Sequence, residues 1–261
     1  MTGKDMAELI RKANSGDSCA QYQVCSLYVE QLLGETDAHI LFDGINENTI
    51  EEWLIKAAES DNVEAMYELF AFYMRNEDPH DRLEMVFDEG CEKAAYWLRK
   101  AAERNHIYAM YDWGFAHWYR EYSEAEEYSE CLKWYRRAAD AGNVAAMREL
   151  GWVYWACWCG MKEKLPFDEA AKISIDWLRK ASDKGSLIAQ NILGKIYAGE
   201  MANGTDNNEG IDAYVNYDLS YLYSKQAVEN KSLNMDNIVD QNESISRVAW
   251  LVRENLVSAD R

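Results

Sequence analysis

Proline is almost missing from this chain of 261 residues: only Pro79 and Pro166 occur. With so few helix breakers, and no β-branched run in strand alternation, helix is the default expectation. Histidine is nearly as scarce. His39, His80, His106 and His117 are the only four, and no His-Glu-x-x-His run links them, so a zinc hydrolase of that type is excluded. Glycine-rich phosphate loops and a serine nucleophile elbow are also lacking, which leaves no constellation for nucleotide or acyl-transfer chemistry. No apolar stretch approaches the ~20 residues of a membrane-spanning helix. The opening Met-Thr-Gly-Lys-Asp-Met-Ala-Glu has no apolar export segment, and a cytoplasmic location is expected.

Positive charge is the minority sign. Lys and Arg number 27 against 46 Asp and Glu, a formal net charge of −19. Such a chain repels a phosphate backbone and an anionic membrane surface, so neither is expected as a partner. It would draw in a basic protein; solubility alone is the plainer account of the same charge. The six cysteines (Cys19, Cys25, Cys91, Cys131, Cys157 and Cys159) follow no repeated spacing, and free thiols are expected rather than a disulfide framework. Cys157 and Cys159, even with Cys131 or His117, lack the spacing of a structural zinc site. No metal or other cofactor is expected.

What the chain does have is Ala, Glu, Leu, Lys and Met, together with ten Trp and seventeen Tyr, large groups to bury or display. Laid against itself, it also has a repeat. Trp53-Leu54-Ile55-Lys56-Ala57-Ala58 is followed by Asn62, Ala65-Met66 and Leu69. Trp97-Leu98-Arg99-Lys100-Ala101-Ala102 is followed by Asn105, Ala109-Met110 and Trp113-Gly114. Trp134-Tyr135-Arg136-Arg137-Ala138-Ala139 leads to Gly142-Asn143, Ala146-Met147, Leu150-Gly151 and Tyr154. Trp177-Leu178-Arg179-Lys180-Ala181-Ser182 leads to Gly185, Ala189, Leu193-Gly194 and Tyr197. Trp and the Ala that follows it stand twelve residues apart in all four copies, and successive Trp residues are 44, 37 and 43 apart. A weaker first copy runs through Ala13, Gly16, Ala20, Val24 and Tyr28, and a degenerate last one covers Leu222 to Ile238. Periods of this length mark helical-repeat arrays.

The pattern has a physical reading. Gly142 and Gly185 fall where one helix stops and the chain turns through left-handed backbone. The Ala at the twelve-residue mark and the Gly of Leu-Gly let two helices cross closely, and Trp and Tyr fill the larger gaps. Each unit therefore reads as a helix such as Val144 to Ala156, a variable loop, then a helix such as Asp168 to Asp183. One helix pair cannot bury its own apolar face, so the pairs must stack.

The run Trp-x-x-Lys-Ala-Ala, Gly, Ala-x-x-x-Leu-Gly-x-x-Tyr resembles the Sel1-like repeat, a relative of the tetratricopeptide repeat. The likeness covers Ala7 to Gly199 and is best from Trp53 to Tyr197. It implies an all-α fold: a right-handed α/α superhelical solenoid of about five helix-turn-helix repeats with a C-terminal helical cap. The expected organisation is a single repeat domain over 1–261, with units near 7–46, 47–89, 90–126, 127–167 and 168–211, then a degenerate repeat and capping helices over 212–261. It implies an adaptor or scaffold role with no catalytic residues. The chain departs from the family in its longer, acidic segments at Gly34 to Asn46, Asn76 to Glu89, Glu121 to Glu130 and Glu200 to Asp212. A secreted, cysteine-stapled branch of the family is linked to β-lactam hydrolysis, but its fixed cysteine spacing is missing here.

At 100° per residue, positions two, six and nine after the repeat Ala point away from the core sector. They are Tyr111, Phe115 and Trp118 in one repeat and Arg148, Trp152 and Trp155 in the next, against Tyr67, Ala71 and Met74 before and Asn191, Lys195 and Ala198 after. The family resemblance puts these helices on the concave side. The aromatic stripe then reads either as an anchor surface for a protein partner or as packing against the next repeat or an inserted loop. Glu124 and Glu127, in a dense acidic run, read as a rim for a basic partner or as plain solvated surface. Three functions compete: a non-catalytic adaptor that binds a partner protein, an immunity protein that masks a toxin's basic site, and an enzyme, for which no residues assemble. No small-molecule substrate is expected.

Overall fold

The computed structural model of the protein describes residues 3–32, 45–75, 86, 88, 91–124, 129–156, 165–201, 210–230 and 238–253. Among the described residues there are twelve α-helices, a short 3-10 turn and no strand. The helices are α1 (Gly3–Asn14), α2 (Ser18–Leu32), α3 (Glu47–Glu59), α4 (Val63–Tyr73), α5 (Glu92–Glu103) and α6 (Ile107–Glu124). They continue with α7 (Ser129–Asp140), α8 (Val144–Ala156), α9 (Phe167–Asp183), α10 (Leu187–Ala198), α11 (Tyr217–Glu229) and α12 (Ile238–Arg253), the 3-10 turn Ile211–Tyr214 preceding α11. None of them is long and apolar enough to cross a membrane.

The turn inside each pair is built the same way five times, and the repeat explains why. The odd-numbered helix ends in a left-handed residue: Gly16 (φ 96°), Asp61 (69°), Asn105 (63°), Gly142 (99°) and Gly185 (88°). The next residue closes the old helix by donating its backbone N–H five residues back, as Asn62 does to Ala57 O and Asn143 to Ala138 O. Its side chain then caps the new helix: Asp17, Asn62, His106, Asn143 and Ser186 each accept from the N–H three residues on. One residue thus ends one helix and starts another, which fixes the angle between them.

The chain divides into two compact units, Met1–Arg120 and Glu121–Arg261. In the first, α1 to α5 pack in sequence, α4 on α5 being the last of these pairs, and α2 also packs on α4. Its core holds Trp53, Leu54, Met66, Leu69, Trp97, Leu98 and Met110, all buried. In the second, α7 to α12 pack in sequence, and α12 also packs on α10. Here the small residues do the work assigned to them: a methyl on Gly151 would come within 2.4 Å of Leu178 Cγ, and one on Gly194 within 2.6 Å of Ser224 Oγ. Close approach lets Ser174 donate to Gly151 O at 2.7 Å and Ser220 to Gly194 O at 2.9 Å, so α9 and α11 are bonded to the backbones they cross.

The repeat Trp residues differ in burial. Trp53, Trp97 and Trp134 are buried, while Trp177, expected to match them, is half-buried. Three of the rings are covered by the cation one turn on: Lys100 over Trp97 at 5.2 Å, Arg137 over Trp134 at 4.4 Å and Lys180 over Trp177 at 3.8 Å. The long stems help cover these rings.

Candidate functional site

The positions read as pointing outward on even-numbered helices fare differently in the two units. In the first, Tyr111, Phe115 and Trp118 are half-buried and form a ladder along α6. Ring centroids are 6.2 Å apart from Tyr111 to Phe115 and 6.1 Å from Phe115 to Trp118, with Tyr119 at 5.1 Å from Phe115. Spacings of three and four residues put these rings on one face of the helix, each leaning on the next. His117, one position away, is buried edge-on against Trp113 at 5.1 Å. Glu124 ends α6 with its side chain outside the described residues, and Glu127 lies outside them altogether. The supposed loop from Glu121 to Glu130 begins instead as helix, since α6 runs to Glu124 and α7 starts at Ser129. Cys157 and Cys159 also fall outside the described residues.

In the second unit α8 carries Arg148, Trp152 and Trp155. Trp152 is 38% exposed, whereas Trp155 is 0% exposed. Its indole N–H donates to Met201 O at 3.2 Å, and its ring packs edge-on against Phe167 and Tyr214 at 5.3 and 5.6 Å. Trp155 is therefore not an outward anchor, and the expectation that it faces a partner is corrected. The physical reason is that α8 is clasped by α7 on one side and α9 on the other. A helix with neighbours on both sides buries more than a single stripe, and position nine falls in the added sector. Met74, at the corresponding position just past the end of α4, is also buried. Arg148 is half-buried, and its guanidinium is held by Glu149, Nε to Oε1 at 3.0 Å.

The fifth repeat departs further. Asn191 and Lys195 were expected to face away from the core, but Asn191 is 0% exposed because α12 lies over it. Asn191 donates to Glu243 Oε2 at 2.9 Å and accepts from Ser244 Oγ at 3.0 Å and Arg247 Nη1 at 2.9 Å. Lys195 pairs with Glu243 at 2.6 Å, and Arg247 Nε reaches Glu200 at 2.8 Å. Lys195 and Asn191 together hold the Glu243 carboxyl below its usual range, the hydrogen bond from Lys195 being the largest cause. This face of α10 is thus filled by α12. Periodicity gave no sign of this, because Glu243, Ser244 and Arg247 lie beyond the degenerate copy at Leu222 to Ile238 and look like ordinary surface residues.

Two further aromatics, which the repeat frame does not single out, are exposed: Tyr96 at 50% and Tyr108 at 60%. Tyr96 leans on Trp97 at 5.0 Å under Lys100 at 4.7 Å, and Tyr108 stands 6.0 Å from His106. Among the described residues, no three His, Cys, Asp or Glu side chains stand together as a metal site would require.

Neither a family profile nor a curated relative matches the sequence. Solved structures do. A Sel1 repeat protein from Oxalobacter formigenes superposes with a TM-score of 0.57 at 20% identity, over 93% of this chain and 91% of that one. A protective antigen of uropathogenic Escherichia coli strains, which displays the same repeat fold, superposes with a TM-score of 0.52 at 20% identity. It covers 98% of this chain, which spans only 53% of the antigen. An immunity protein from Pseudomonas aeruginosa reaches a TM-score of 0.39 at 17% identity, over 90% and 81% of the two chains. That superposition is too loose to carry an argument. The first two establish the fold: this chain has the all-α fold of Sel1-like repeat proteins, as the run Trp-x-x-Lys-Ala-Ala and Leu-Gly-x-x-Tyr implies.

Proposed function

We propose that the chain is a non-catalytic module that binds a partner protein of basic surface, with Trp152 as an anchor in the second unit and the Tyr111–Phe115–Trp118 ladder as a second contact in the first. The observation that carries the reading is Trp152. On α8, Ala146, Met147, Leu150, Gly151, Val153, Tyr154 and Trp155 are all buried, and Trp152 alone is exposed. A solvated position on a helix has no use for an indole, and exposed Trp with a nearby Arg is the usual composition of an interface anchor. Arg148, already neutralised by Glu149, would orient a partner's backbone rather than supply net charge. The formal charge of −19 supplies the long-range attraction for a basic partner.

The test is capture from the native host with the full chain and with Trp152→Ala side by side. A partner retained by the parent and lost by a variant of unchanged helicity supports the reading. Equal retention by both removes Trp152 from it.

A further inference from the structure

Four of the five turns are capped by oxygen atoms, from Asp17, Asn62, Asn143 and Ser186, and the fifth by a ring nitrogen. His106 Nδ1 accepts the Ala109 N–H at 3.0 Å. The oxygen caps accept in every protonation state met between about pH 5 and pH 8, whereas imidazole accepts only when neutral. We propose that His106 is a proton-sensitive cap: acid that charges its ring unfastens the first turn of α6.

The surrounding geometry leaves the charged ring no equivalent arrangement. With Nδ1 accepting, the proton sits on Nε2, which lies 3.1 Å from Glu64 Oε2. The ring is 7% exposed and stacks on Tyr67 at 4.5 Å, and Tyr67 in turn donates to Asp112 Oδ2 at 2.6 Å. A second proton on Nδ1 points straight at the Ala109 N–H, donor against donor, at the positive end of the helix. Flipping the ring restores nothing, because both nitrogens then carry hydrogen.

The groups around the ring decide the sign. From α4, Glu64 and Tyr67 face it; on α6, Tyr108 stands 6.0 Å away and Asp112 acts through Tyr67; the adjoining turns bring the Arg104–Asp61 ion pair. Glu64 would gain from a charged ring, but its side chain is 66% exposed and such a pair returns little. The lost cap outweighs it, so the neutral ring is the form that fits the fold. Stability from His106 is present while its ring is neutral and accepts the Ala109 N–H, and is lost when acid charges the ring. Glu68, one turn further along α4, also titrates near neutrality and with the opposite sign, but it is common to the parent and to a His106 variant.

The cap sits at the start of the helix that carries Tyr111, Phe115 and Trp118, yet the inference does not rest on their binding anything. It is tested by melting the full chain and His106→Asn at about pH 7.5 and about pH 5.5. Asn is the capping residue of α4 and α8, so the variant should fold. The parent should lose about 2–4 °C relative to the variant on acidification. A gap that stays constant between the two pH values overturns the proposal. Nitrogen-15 spectra of the parent's histidines provide a second arm: a pyridine-type Nδ1 at His106 near neutral pH is expected, and a protonated Nδ1 there would overturn the cap itself.

Discussion

The indole of Trp155 is tied to Met201, its N–H donating to the Met201 carbonyl across 3.2 Å, 46 residues along the chain. Three positions earlier on the same helix, Trp152 is 38% exposed. Two tryptophans one turn apart are thus placed in opposite environments, and their substitution should separate packing from recognition. Trp155→Ala should cost about 3–5 kcal/mol through the cavity it leaves and the unpaired carbonyl. Trp152→Ala should cost less than about 1 kcal/mol. Chemical denaturation of the two variants checks the contrast, and near-equal losses would mean that Trp152 is also structural.

The repeat tryptophans should rank by their burial. Trp97→Ala and Trp134→Ala each remove a buried ring and should cost about 3–5 kcal/mol. Trp177 is half-buried with Lys180 at 3.8 Å over its face, so Trp177→Ala should cost visibly less. Midpoints of urea unfolding at fixed slope would order them; Trp177 as the most costly of the three would contradict the structure.

Much of this was legible in the sequence, and the part that was not has a common cause. Val144 to Ala156 is the observed α8 to the residue, and the αL turns at Gly142 and Gly185 stand where the repeat put them. Local chemistry carries such features: a small residue, a cap, a period of about 3.6. Trp155, Asn191 and Trp177 were misplaced because their exposure depends on which helix lies on the far side, and that is a property of the stack. The shared cap at Asp17, Asn62, His106, Asn143 and Ser186 was present in the alignment of repeats, three residues before each Ala. It was missed because four residue types occupy the position and only their common role as acceptors unites them.

Gly151 should not tolerate a side chain. Its Cβ would stand 2.4 Å from Leu178 Cγ, in a helix crossing further fixed by the Ser174 hydrogen bond. Gly151→Ala should therefore destabilise by about 1–3 kcal/mol, despite the better helix propensity of Ala. A stabilised variant, seen as a raised melting temperature, would show that α8 and α9 are not so close.

Glu68 should make the first unit more stable in mild acid. Burial pushes its carboxyl up to about 7; Ser26 and Tyr22 oppose this by hydrogen bonds, and the charges of Glu64 and Glu30 add to it. A carboxyl raised in the fold contributes stability that is fully present below its unfolded value, near 4.5, and lost as pH rises through about 7. Glu68→Gln should remove that loss, stabilising the chain by about 1–2 kcal/mol at pH 8 and little at pH 5. Denaturation at the two pH values reads it, and a benefit independent of pH would contradict the buried charge.

Thiol reactivity should follow exposure. Cys19 is exposed, whereas Cys25 and Cys131 are buried, and burial pushes the Cys25 thiol up to about 12. In the native protein an alkylating reagent should modify Cys19 first and reach Cys25 and Cys131 only on unfolding. Peptide mass spectrometry resolves the sites, and early labelling of Cys25 would place it outside the core.

The central claim, that this helical repeat protein works by holding a partner on an exposed Trp, is tested most directly by titrating the captured partner against the parent and Trp152→Ala while recording the melting temperature of both. The prediction is a complex weakened by about 2 kcal/mol or more with the melting temperature nearly unchanged. Unaltered affinity in a well-folded Trp152→Ala variant would contradict it.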